Sequence, residues 1–128
     1  MSRHIFDKSE TGYPKDVIPK LISIVDNEIS QKYVKGFYIG RTADYKRRYD
    51  EHGCGIMILL YKTDSDENAI TVEDYLINAF ISHDKCRNKA ESGGGGVSQE
   101  ESGGIVYLCI FCDIDKVEFL MRLLEDKN

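Results

Sequence analysis

The sequence predicts a small α/β domain, with three central strands and about four helices around them. Three observations carry this. IMILLY (Ile56 to Tyr61) and IVYLCIFC (Ile105 to Cys112) are unbroken apolar runs of strand length, as expected of strands covered on both faces. Around them, apolar residues recur at helical spacing. The two kinds of segment alternate along the chain, and no internal repeat groups them otherwise.

Taken in order, residues 1–13 are polar and aperiodic, which reads as a flexible arm ahead of a single domain over 14–128. Ile18, Leu21, Ile22, Val25 and Ile29 then recur at i, i+3, i+4, i+7 and i+11. That is a helix, with Asp16 as its cap and Pro19 in its first turn, although LISIV within it also suits a strand. A strand follows over Lys35 to Ile39 and ends at Gly40. Thr42 caps a short helix that reaches about Glu51 and stops at Gly53. After the IMILLY strand, TDSDEN is a polar turn into a helix from about Glu67 to His83. Residues 91–104 are a Gly-rich loop of low complexity. The IVYLCIFC strand leads into DIDKVEFLMRLLED, an amphipathic helix with Val117, Leu120, Met121 and Leu124 on one face.

A chain of 128 residues can bury a core without staples. No window approaches a membrane span, and MSRHIFDKSE lacks the apolar core of a signal peptide. An intracellular protein is expected, cytoplasmic or nuclear, with Cys54, Cys86, Cys109 and Cys112 reduced. Cys109 and Cys112 fall on opposite faces of their strand and read as core residues. His52, Cys54, His83 and Cys86 could in principle hold zinc, but their spacings match no standard knuckle. The GGGG tract lacks the lysine and flanking elements of a phosphate-binding loop.

Three features sit oddly on a plain scaffold. The segment GFYIGRTADYKRRYDEHG, Gly36 to Gly53, gathers Arg41, Lys46, Arg47 and Arg48 behind a strand, in a chain of net charge −5. That charge opposes indiscriminate nucleic-acid binding, yet screening within about 10 Å leaves room for a local basic patch. In the helix there, Tyr45, Arg48, Tyr49 and His52 share one face, polar-aromatic where Leu or Ile is usual. A half-exposed amphipathic helix with a snorkelling arginine would also account for it. Second, Glu73 shares its helix face with Ile70, Leu76, Ile77 and Phe80. A carboxylate there needs a cation or must stay protonated: it is an ion-pair partner of an arginine such as Arg48, a metal ligand or an acid/base group. Third, HDKCRNKA places Lys85, Arg87 and Lys89 after that helix, which also suits a helix C-terminus.

In this order the features resemble the GIY-YIG endonuclease superfamily. Its second half-motif stands at Tyr38, Ile39 and Gly40. The family's helix arginine is matched by Arg48, ten residues after Tyr38, and its histidine one turn on by His52. Glu73 matches the glutamate that binds the divalent metal, and Asn88, fifteen residues beyond, the asparagine that helps hold the phosphate. The first half-motif, Gly-Ile-Tyr, normally lies on a strand shortly ahead of the second. Here that stretch reads VDNEIS, and the nearest tyrosine is Tyr33.

The resemblance implies a GIY-YIG-like fold and hydrolysis of DNA phosphodiester bonds with Mg²⁺ or Mn²⁺ held by Glu73. Tyr38, Arg48, His52 and Glu73 would be catalytic, and Arg41, Lys46, Arg47, Arg87 and Asn88 would contact DNA. Tyr38 assisted by His52 is the expected base, in preference to Tyr33. A catalytically silent nucleic-acid-binding module of the same fold is the alternative. Target choice would then fall to this domain, a homodimer or a partner subunit.

Overall fold

The structure, a computed structural model, describes residues 3–88 and 103–112. Its elements are β1 (Ile5–Glu10), α1 (Pro14–Ile29), β2 (Val34–Thr42), α2 (Tyr45–His52), β3 (Ile56–Lys62), α3 (Asp66–Phe80) and β4 (Ile105–Cys112). The sheet order is β1-β3-β4-β2. β1 runs parallel to β3, while β4 lies antiparallel to both β3 and β2.

This corrects the expected three-stranded sheet with about four helices. The sheet is mixed and four-stranded, and three helices occur among the described residues. The additional strand, β1, comes from the segment read as a flexible arm. Its sequence, IFDKSE, has little apolar signal because β1 is an edge strand. Backbone pairing with β3 forms it, and Lys62 Nζ donates to Asp7 at 2.6 Å. The expected C-terminal helix and most of the Gly-rich loop lie outside the described residues. No helix among the described residues is long and apolar enough to cross a membrane.

Helix starts also moved, each for a local reason. α1 begins at Pro14, whose missing N–H and fixed φ suit a first helical position, so Asp16 lies inside the helix and Pro19 beyond its first turn. Asp44, rather than Thr42, caps α2 by accepting from the Arg47 N–H at 3.2 Å. Thr42 instead accepts from the Asp44 N–H. Gly53, at φ 67°, closes α2 in the left-handed conformation expected of a terminating glycine.

Two apolar clusters flank the sheet. On one side α1 and α3 bury Leu21, Val25, Leu76 and Ile77 against Phe37, Ile39, Ile58 and Leu108. On the other, Tyr49 of α2 packs with Met57, Leu59, Tyr107 and Cys109. Cys54 and Cys109, read as free thiols, are joined by a disulfide that anchors the chain beyond α2 to β4. Lys85–Asn88 runs along the open edge of β2: Lys85 O accepts from the Phe37 N–H, and the Arg87 N–H donates to Phe37 O. A short parallel bridge, Phe37 to Cys86, results.

Candidate active site

β2 carries the site because its two faces point into different surroundings. Strand alternation sends Phe37 and Ile39 to the α1–α3 cluster and Tyr38 to the α2 side. Gly36 and Gly40 flank Tyr38 on that same side. A side chain at Gly40 would put its Cβ 2.5 Å from the Tyr107 hydroxyl and 2.8 Å from the Tyr38 ring. The glycine of Tyr-Ile-Gly therefore makes room for two tyrosines.

α2 lays its Tyr45–Arg48–Tyr49–His52 face onto this surface, as the spacing predicts. Tyr49 is buried, and Arg48 and His52 are half-buried. The Tyr38 and His52 rings lie 4.8 Å apart. His52 Nε2 is 2.9 Å from the Tyr107 hydroxyl and 3.3 Å from an Arg48 guanidinium nitrogen. Arginine only donates, so the contact assigns Nε2 as acceptor and Nδ1 as the protonated nitrogen of a neutral ring. Burial, then the Arg48 charge, lower the His52 pKa from its ordinary 6.5, partly offset by Glu51. Arg48 also donates to Glu51 at 2.8 Å. The structure thus joins Tyr38, Arg48 and His52, and adds Tyr107.

Tyr107 was missed by the sequence reading. Its register partner on β2 is Gly40, across an antiparallel pairing. The available signal was Gly104-Ile105-Val106-Tyr107, a near copy of the absent half-motif standing far behind Tyr38 instead of just ahead of it. Tyr33, the substitute considered, packs against the α1–α3 cluster, and burial followed by Glu28 raises its pKa.

Glu73 is 6% exposed, as its apolar helix face demands, whereas its neighbour Ile70 is 37% exposed. Its cation is Arg41 of β2, with Nε 3.4 Å from Glu73 Oε1. Arg41 also donates to Gly103 O at 3.5 Å. Strand alternation puts Arg41 on the α3 side of β2, near the C-terminal end of the strand, and Tyr38 on the α2 side at its middle. Among the described residues no group of three or more His, Cys, Asp or Glu could hold a metal ion. The zinc set is further undone by the disulfide at Cys54.

The remaining basic residues separate by environment. Lys46 is exposed on α2. Arg47 is exposed as well, 4.0 Å from Asp44 and 3.9 Å from Glu51. Arg87 stacks on the Phe111 ring at 4.1 Å. Asn88, expected at a phosphate, engages the strand edge: its Oδ1 accepts from the Ile39 N–H at 3.0 Å and its Nδ2 donates to Ile39 O at 2.8 Å. The asparagine thus acts as one more strand residue beside Tyr38. Comparison of the chain with family models, with curated proteins and with solved structures gave no match.

Proposed function

We propose that the chain is a divalent-metal-dependent endonuclease that hydrolyses DNA phosphodiester bonds at β2, with Tyr38, Arg48, His52 and Tyr107 on its α2 side and Glu73 on its α3 side. One observation carries the reading: an arginine, a neutral histidine and two tyrosines converge across two antiparallel strands, with His52 Nε2 2.9 Å from the Tyr107 hydroxyl. Phosphodiester hydrolysis needs a base for the attacking water and fixed donors for the phosphoryl oxygens. The two half-motifs would then be neighbours in space but reversed in chain order, with Tyr107 in the role sought ahead of Tyr38.

The Arg48 guanidinium offers planar donors to non-bridging phosphate oxygens. Tyr107 can accept a proton from the attacking water while its own passes to His52 Nε2. Water's oxygen then bonds to phosphorus as the bond to the leaving oxygen breaks. The phosphate's negative charge and nearby Glu51 favour the resulting imidazolium. Tyr38, whose ring is tilted against His52 at 4.8 Å, holds that ring in place. Glu73 would hold Mg²⁺ or Mn²⁺, since a single protein carboxylate is a donor set Mg²⁺ accepts when waters and substrate oxygens complete the shell. The ion would polarise the phosphoryl group and offset charge on the leaving oxygen.

The second reading, a silent DNA-binding module, is favoured by Arg41, which already neutralises Glu73 at 3.4 Å. A plasmid-nicking assay in Mg²⁺ separates the two. The nuclease reading expects wild type to nick, and Glu73→Gln, compared at a temperature where circular dichroism shows both folded, to lose nicking while keeping its DNA affinity; its melting temperature should fall because Arg41 loses its buried partner. Binding without any nicking by wild type would support the module. Glu73→Gln nicking within about tenfold of wild type would remove Glu73 from the reaction.

A further inference from the structure

We propose that Arg87 is a second phosphate clamp, built to hold a DNA backbone phosphate beside the one at Arg48. This rests on the nuclease reading and deepens it. Arg87 reaches the α2 side from the edge of β2, where Gly36 leaves space for it. A Cβ at Gly36 would collide with the guanidinium, 2.9 Å from Arg87 Cζ. Gly36 and Tyr38 share a strand face two residues apart, an advance of about 6.7 Å. That is about two phosphate steps along one strand of B-DNA, measured on the helix axis at about 3.4 Å each.

The side chain is held in advance of any ligand. Its backbone N–H donates to Phe37 O at 2.8 Å, the next residue is pinned by both Asn88 bonds to Ile39, and its guanidinium lies over Phe111. Stacking orients the plane and leaves the N–H edges available. Charge pairing marks it out as well. Among the described residues, Arg3, Arg41, Arg47 and Arg48 each face a carboxylate within 4.0 Å, and Arg87 faces none. In a chain with 22 acidic and 17 basic residues, an exposed arginine held in place with no carboxylate partner among the described residues is a site for an outside anion. DNA phosphates are the anions already required at Tyr38.

The test is binding of a short fluorescent duplex, without divalent metal, across a range of salt. Wild type is compared with Arg87→Gln and with Gly36→Ala, which displaces the guanidinium but keeps its charge. The proposal expects Arg87→Gln to bind about tenfold or more weakly, the loss of one charge-assisted contact. The slope of log affinity against log salt should fall by about 0.9, equally on unrelated sequences. Gly36→Ala should weaken binding in the same direction. Wild-type affinity and slope in Arg87→Gln, with wild type binding and cutting, would overturn the clamp and leave the nuclease reading standing. A wild type without salt-dependent affinity would overturn both.

Discussion

At the scale of single residues, the account turns on His52. Its neutral ring is a consequence of burial and of Arg48, both of which disfavour the imidazolium. The folded-state pKa is therefore depressed, and on acidification the unfolded chain binds its proton first. This contribution to stability is present above the ordinary 6.5 and declines as pH falls below it. Cleavage by a neutral base follows the same direction, so the acid limb of the pH–rate profile should lie below 6.5, lower than an ordinary histidine would give. His52→Gln should remove that limb. A limb at or above 6.5 would mean that His52 is either not buried as described or not the base. Arg48→Lys tests the neighbouring role. A point charge lacks the planar fork, so cutting should not be rescued. Full activity in Arg48→Lys, read in the nicking assay, would leave Arg48 a structural role, such as its pairing with Glu51.

At the scale of elements, β2 and β4 set the site by their close approach at Gly40. Gly40→Ala should push the Tyr107 hydroxyl or the Tyr38 ring aside, because neither distance, 2.5 or 2.8 Å, can accept a methyl group. A misplacement of about 1 Å costs about a hundredfold in rate, so cutting should fall by that order with the helical circular dichroism unchanged. Undiminished cutting would show that the packing at Gly40 does not position the reacting groups. What the sequence disclosed and what it hid follow from the same element physics. β3 and β4, apolar on both faces, were legible, and so were the α2 face and the buried position of Glu73, because periodicity reports burial. β1 was not, since an edge strand of mostly exposed residues is specified by its partner's backbone rather than by its own pattern. Nor were the partners across the sheet. Tyr107 comes to His52 through register with Gly40, and Arg41 meets Glu73, and neither follows from local spacing. Asn88 marked a real position, but its amide completes the edge of β2.

At the scale of the whole molecule, chain order and sheet order differ: β4, late in the chain, lies between β3 and β2 and pairs with both. The Cys54–Cys109 disulfide spans 55 residues of that path. In the chain-entropy account a loop of this length stabilises by about 4 kcal/mol, so reductant should lower the denaturant midpoint of unfolding clearly. An unchanged midpoint would mean that the cross-link does not persist in solution or closes nothing that unfolding opens. The central claim, that the groups gathered between β2, β4 and α2 cut DNA, is tested most directly by Tyr107→Phe in Mg²⁺-dependent plasmid nicking, with duplex affinity and melting temperature followed in parallel. The substitution keeps the ring in its packing and removes the hydroxyl that meets His52 at 2.9 Å. The account predicts that nicking falls by about 10² to 10⁴ while binding and melting stay near wild type. Nicking by Tyr107→Phe at the wild-type rate would contradict it.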